Sequence, residues 1–143
     1  MFVLMLEAGE EVVSGLEQFA KKNKVAGGQV TATGSLSQVA LGYFDRRSKK
    51  YKKNVELREA VQVLALSGDI AYDKGRPRLV CHAVVAKGDG GVFGGHLLEA
   101  RVHGALEVVV MEASQFYQRQ YDQETGLALL RPEPQVVRRR KIG

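Results

Sequence analysis

Gly88-Asp89-Gly90-Gly91-Val92-Phe93-Gly94-Gly95-His96-Leu97-Leu98-Glu99 is the stretch whose reading decides the fold. It follows the apolar run Leu79 to Ala86, which carries His82. Glycine adopts turn conformations at no steric cost, so Gly88, Gly90 and Gly91 read as a tight bend returning a second strand. If the bend is centred on Asp89, His82 and His96 are equidistant from it and face each other. Directly opposed residues have Cβ atoms about 5 Å apart. A slip of one residue would send the two imidazoles to opposite faces.

The rest of the chain is punctuated in the same way. Phe2 to Leu6 reads as a short strand. A helix from about Glu10 to Lys22 presents Val12, Leu16, Phe19 and Ala20 on one face, with Gly27-Gly28 expected to stop it. Strands are expected at Gln29 to Thr33, Val39 to Asp45, Ala60 to Leu66, Ile70 to Tyr72, Leu79 to Ala86, Phe93 to Val102 and Leu106 to Glu112. Gly34-Ser35 and Ser67-Gly68-Asp69 are read as breaks. A short helix or turn is expected around Ser114 to Tyr121, and a last strand at Leu127 to Leu130. This pattern predicts an α+β domain: a mainly antiparallel sheet of about seven strands, one N-terminal amphipathic helix over a face, and short additional helices.

Composition narrows the class. The 143 residues make one domain, residues 1–130, followed by a basic tail, 131–143. The single cysteine, Cys81, excludes an internal disulfide and suits a reducing compartment. Met1 to Leu6 is too short for a signal peptide, and no run approaches the roughly 20 apolar residues of a membrane span, so a cytoplasmic protein is expected. Of the net charge of +5, the tail holds +4, from Arg131, Arg138, Arg139, Arg140 and Lys141 against Glu133. In the body Arg46, Arg47, Lys49, Lys50, Lys52 and Lys53 form a second cluster. Either could meet DNA phosphates without reading sequence, or simply be solvated.

The chemistry of the histidines is open to two readings. His82 and His96 could hold a metal such as zinc, or form a hydrogen-bonded pair beside a subunit contact; the second is preferred, because a closed zinc site takes four ligands, or three and water. Cys81 and His103 are expected on the face away from the pair, and so is Glu99, three positions after His96. Gly94-Gly95-His96 reads as a close-packing or ligand loop. Phe93 stands where a dinucleotide fingerprint needs its third glycine, and no P-loop or nucleophile elbow occurs, so no catalytic residues are expected. Lys74-Gly75-Arg76-Pro77-Arg78 contains the core of an AT-hook, but between two strands it is read as a hairpin turn.

Gly9-Glu10-Glu11-Val12, Thr33-Gly34-Ser35-Leu36, Leu41-Gly42-Tyr43-Phe44, Leu66-Ser67-Gly68-Asp69-Ile70 and Gly94-Gly95-His96-Leu97-Leu98 occur in this order. Together they resemble the PPC (plants and prokaryotes conserved) domain across residues 2–130. The resemblance implies a compact α+β homotrimer, resting on the apolar strands around Leu97 to Val110. No basic arm precedes Phe2, so the chain resembles the prokaryotic single-domain kind, described as DNA-binding by analogy with plant proteins that carry AT-hooks. Metal-binding members have a His-x-His before the glycine turn and the Gly-Gly-His histidine. His82 and His96 match two of these positions, and Val80, at the third, cannot ligate, so Cys81 or a neighbouring subunit would have to complete the shell. The expected function is therefore a non-enzymatic, self-associating binding protein with DNA as a partner and no membrane. The alternative is a metal-dependent or small-molecule enzyme at His82 and His96.

Overall fold

The computed structural model describes residues 1–113 and 116–131. In chain order it contains β1 (Phe2–Glu7), α1 (Val12–Lys22), β2 (Gly28–Asp45), β3 (Lys50–Leu57), β4 (Val61–Asp73), β5 (Arg76–Ala86), β6 (Val92–Glu112), β7 (Gln118–Tyr121) and β8 (Ala128–Arg131). The strands form one sheet in the order β3-β2-β6-β5-β4-β7-β8, with β1 added along β6. β4 also pairs with β2, so β2, β6, β5 and β4 close into a ring. Every pairing of these elements is antiparallel except β4–β7, which meet in parallel through Tyr72 and Gln118.

The ring creates an inside and an outside, and the strands alternate accordingly. On β5, Leu79, Cys81, Ala83 and Val85 are buried, while His82 and Val84 point outward. Val30, Leu36, Leu41, Leu66, Ile70, Leu106, Val108 and Val110 complete the interior with α1's Val12, Leu16 and Ala20. Burying each of the larger side chains stabilises the fold by about 1.5–3 kcal/mol before entropy is counted. The helix is held at its start by Glu11, whose carboxylate accepts from Val13 N at 3.1 Å and Ser14 N at 2.9 Å, and from Ala100 N on β6 at 3.1 Å. Burial pushes this carboxyl's pKa up, but those hydrogen bonds outweigh it and hold the group below its usual range. The helix therefore starts where β6 passes.

Several expectations are corrected. The described residues form eight strands, close to the expected number, but two of them, the lysine-rich β3 along β2 and β7, were not expected, while three pairs of expected strands run together as β2, β4 and β6. The expected short additional helices are absent among the described residues: Gln118–Tyr121 is strand β7, and Ser114 and Gln115 lie outside them. The helix ends at Asn23, with Lys24 in the left-handed region at φ 54°; Gly27-Gly28 instead leads into β2. The glycine breaks are irregularities inside long strands. At Gly34, φ is 147° and a Cβ would collide with the Ala105 carbonyl, so β2 passes β6 there only as glycine. Along β6, Leu97, Ala100, Val102, Leu106, Val108 and Val110 turn into this chain's own core.

Candidate functional site

The glycine bend closes as a five-residue loop, Lys87 to Gly91. Lys87 N–H donates to Gly91 O at 2.8 Å, Gly90 N–H to Lys87 O at 3.0 Å, and Gly91 N–H to the Asp89 carboxylate at 2.9 Å. The ladder beyond it pairs Ala86 with Val92, Val84 with Gly94, and His82 with His96. The two imidazoles stand edge to face, with ring centroids 5.4 Å apart. They share the outer wall of the ring.

Neighbouring strands add to the pair. Gly42 of β2 lies opposite His96, and the Tyr51 ring of β3 stacks on its imidazole at 4.1 Å, 22° from parallel. Gly95 keeps this junction tight, since a Cβ there would lie 2.8 Å from Gly42 O. Gly94 has no such constraint. On the other flank, Ser67 of β4 lies opposite His82, and Asp69, two residues along, lies opposite Val80. Arg119 of β7 reaches Asp69, donating from Nη2 to Oδ1 at 2.6 Å, while its Nη1 donates to Ala128 O at 2.8 Å. The Arg119 side chain is only 10% exposed.

The electrostatics follow from this crowding. Burial, then His82, then the Arg119 charge push the His96 pKa down to about 4, so its ring is neutral at pH 7. His96 Nδ1 and Arg119 Nε are buried with no hydrogen-bond partner. Cys81 faces the interior, and burial, with Asp69 and Glu11, pushes its thiol up to about 12. It is an inert core residue, not a ligand.

The described residues bring only two candidate metal ligands together, His82 and His96. Among the described residues no three of His, Cys, Asp and Glu converge to hold an ion. Glu99 is not the missing donor: β6 is bulged near Leu98, which defeats the simple parity expected for it, and Glu99 lines a cavity of about 200 Å³ with Glu11, Arg58 and Arg101.

The basic candidates of the β2–β3 region differ in what already engages them. Arg46, Arg47 and Lys49 lie in the β2–β3 turn, and Lys50, Lys52 and Lys53 begin β3. Lys52 pairs with Asp45 and Lys53 with Glu56, both at 2.9 Å, and Lys49 Nζ donates to Gln123 O at 2.7 Å. Among the described residues Arg46, Arg47 and Lys50 are exposed and form no ion pair. Arg138, Arg139, Arg140 and Lys141 lie outside the described residues. Lys74 and Gly75, at φ 53° and 78°, make the expected turn, and Arg76-Pro77-Arg78 runs into β5 rather than forming a free arm. Tyr51, Asp69 and Arg119 were not expected at the site. No helix among the described residues is long and apolar enough to cross a membrane.

Known proteins place this geometry. The family model of the Plants and Prokaryotes Conserved (PCC) domain matches residues 1–114. A metal-containing protein from Archaeoglobus fulgidus is 32% identical, with a TM-score of 0.81 over 90% of each chain. A "putative DNA-binding protein" from Bacteroides thetaiotaomicron is 27% identical, with a TM-score of 0.84 over 90% of each. A plant- and prokaryote-conserved protein from Pyrococcus horikoshii is 27% identical, with a TM-score of 0.83 over 91% of this chain and 90% of its own. No curated protein matches the sequence.

Proposed function

The chain belongs to the Plants and Prokaryotes Conserved (PCC) domain family, and from that premise we propose that it is a non-enzymatic binding module that assembles as a homotrimer and associates with DNA. The observation that carries the DNA part is the β2–β3 turn, where Arg46, Arg47 and Lys50 are exposed with no carboxylate partner among the described residues. Their neighbours Lys52 and Lys53 are already engaged by Asp45 and Glu56 and are dropped from the contact. The tail cations Arg138, Arg139, Arg140 and Lys141 would add to the same charge. The relative from Bacteroides thetaiotaomicron supports the reading by its description. Such binding is to phosphates, independent of sequence, and weakens with salt.

Self-association is supported by an apolar patch on the outer wall. Val3 and Met5 of β1 and Met111 of β6 are 72%, 60% and 58% exposed, on adjacent strands. A copy of the chain seated there would replace the contact expected around Leu97 to Val110.

Fluorescence anisotropy of a labelled duplex, titrated across salt, tests the DNA part. If each of the three cations meets a phosphate, replacing Arg46, Arg47 and Lys50 by Ala lowers the slope of log affinity against log salt by about 2.7. No binding to any duplex at low salt would remove DNA from the reading. A second reading, a metal-dependent enzyme at His82 and His96, is favoured by the metal-containing relative. It needs donors beyond the two histidines that the described residues bring together, and elemental analysis of wild type and His96→Ala tests it.

A further inference from the structure

Among the described residues, only two buried polar side-chain atoms lack a hydrogen-bond partner, His96 Nδ1 and Arg119 Nε. They are not scattered. Arg119 is anchored to Asp69, Asp69 lies opposite Val80, and His82, two residues from Val80 on the same outer face, lies opposite His96. This register carries Arg119 and His96 to the same outer face, on either side of β5.

Buried donors in native proteins are almost always paired, and an isolated exception points to something that fills the place. Arg119 bonds Ala128 O through Nη1 and Asp69 through Nη2, which fixes the guanidinium and leaves Nε as its one nitrogen without a partner. That N–H can only donate, so it calls for an oxygen acceptor. Neutral His96 can donate from or accept at Nδ1. Asp69 already neutralises the Arg119 charge, so the demand for an acceptor comes from the unpaired N–H of this nine-tenths buried side chain. We propose that the outer wall between β7 and the β5–β6 ladder binds a small oxyanion, a carboxylate or a phosphate group, held by Arg119 Nε and His96 Nδ1. The Tyr51 ring backs His96, and exposed His82 stands edge to face beside it.

The inference does not rest on the DNA reading; duplex binding at the β2–β3 turn can fail with this site intact. Calorimetric titration of the full-length protein with acetate and with inorganic phosphate tests it. Saturable one-site binding of at least one anion, in the millimolar range or tighter, is expected. Preference for acetate would identify a carboxylate ligand and preference for phosphate a phosphoryl one. The double variant Asp69→Asn/Arg119→Met removes the cation together with its partner and should weaken binding about tenfold or more. Arg119→Lys, which keeps the charge but lacks the N–H, should lose it as well, and serves if the double variant does not fold. Lys52→Ala should bind as wild type does. Failure of both anions to saturate would mean that water fills the place, and would overturn the proposal. Undiminished binding by folded Arg119 variants, or stoichiometric zinc lost on His96→Ala, would overturn it too.

Discussion

Gly95→Ala and Gly94→Ala add the same methyl group one residue apart and should have opposite effects. At Gly95 the new Cβ would sit 2.8 Å from Gly42 O and 3.4 Å from Leu41 Cβ. Gly42 O belongs to backbone paired with β6 at this point, so it cannot swing aside as a side-chain end could. Relief requires prying β2 from β6 beside the imidazole that β2 faces. Overpacking of this kind costs about 1–3 kcal/mol, and the reduced freedom of the unfolded chain returns about 0.4–1. The net loss is about 1–2 kcal/mol, a fall of roughly 2–8 °C in Tm for a domain near this size. At Gly94 the nearest atoms, Ala83 O and Val84 Cγ2, are both 3.5 Å away, an ordinary contact. Neither glycine has positive φ, so only the unfolded-state effect remains at Gly94, and its variant should match wild type or gain up to about 1 kcal/mol. Urea unfolding of the three proteins reads this directly. Equal stability of the two variants, or a more stable Gly95→Ala, would refute the packing of His96 against β2.

Three further outcomes follow from the same site. Asp69→Ala strands the nearly buried Arg119 charge and should cost about 3–5 kcal/mol by chemical denaturation, whereas Lys52→Ala, at an exposed pair, should leave the unfolding curve almost unmoved. His96 is depressed from its ordinary 6.5 to about 4, so the unfolded chain binds its proton first; its contribution makes stability fall as pH drops from about 6.5, with the loss complete below about 4. His96→Gln should flatten that part of a pH–stability curve, and an unchanged slope would contradict the burial. Cys81, with its thiol near 12, should resist iodoacetamide in the folded protein and react on unfolding, as mass spectrometry would show.

The central hairpin was legible because its information is local. Asp89 centres the loop, Gly88, Gly90 and Gly91 permit it, and the alternation of Leu79 to Val85 fixes which side His82 takes, so the pairing with His96 follows. The glycines elsewhere misled for a physical reason. Gly34 and Gly68 look like chain breaks, yet each marks a place where a neighbouring strand passes too close for a Cβ, so β2 and β4 run on through them. β3 was hidden because its lysines face solvent and leave no apolar alternation to read. That concealed Tyr51, whose position depends on β2. Asp69 was taken for part of a turn, and nothing local to Arg119 announces that it crosses to β4. Ring closure, a contact between β2 and β4, has no sequence signature at all.

The claim on which the functional account turns is that identical copies meet at the apolar patch of Val3, Met5 and Met111. Sedimentation equilibrium of the purified protein at micromolar concentration measures it. The account predicts three times the 15.7 kDa chain mass, shifting downward when Met5→Asp places a charge in the exposed patch on β1. A mass of one chain, unchanged by that substitution, would contradict it.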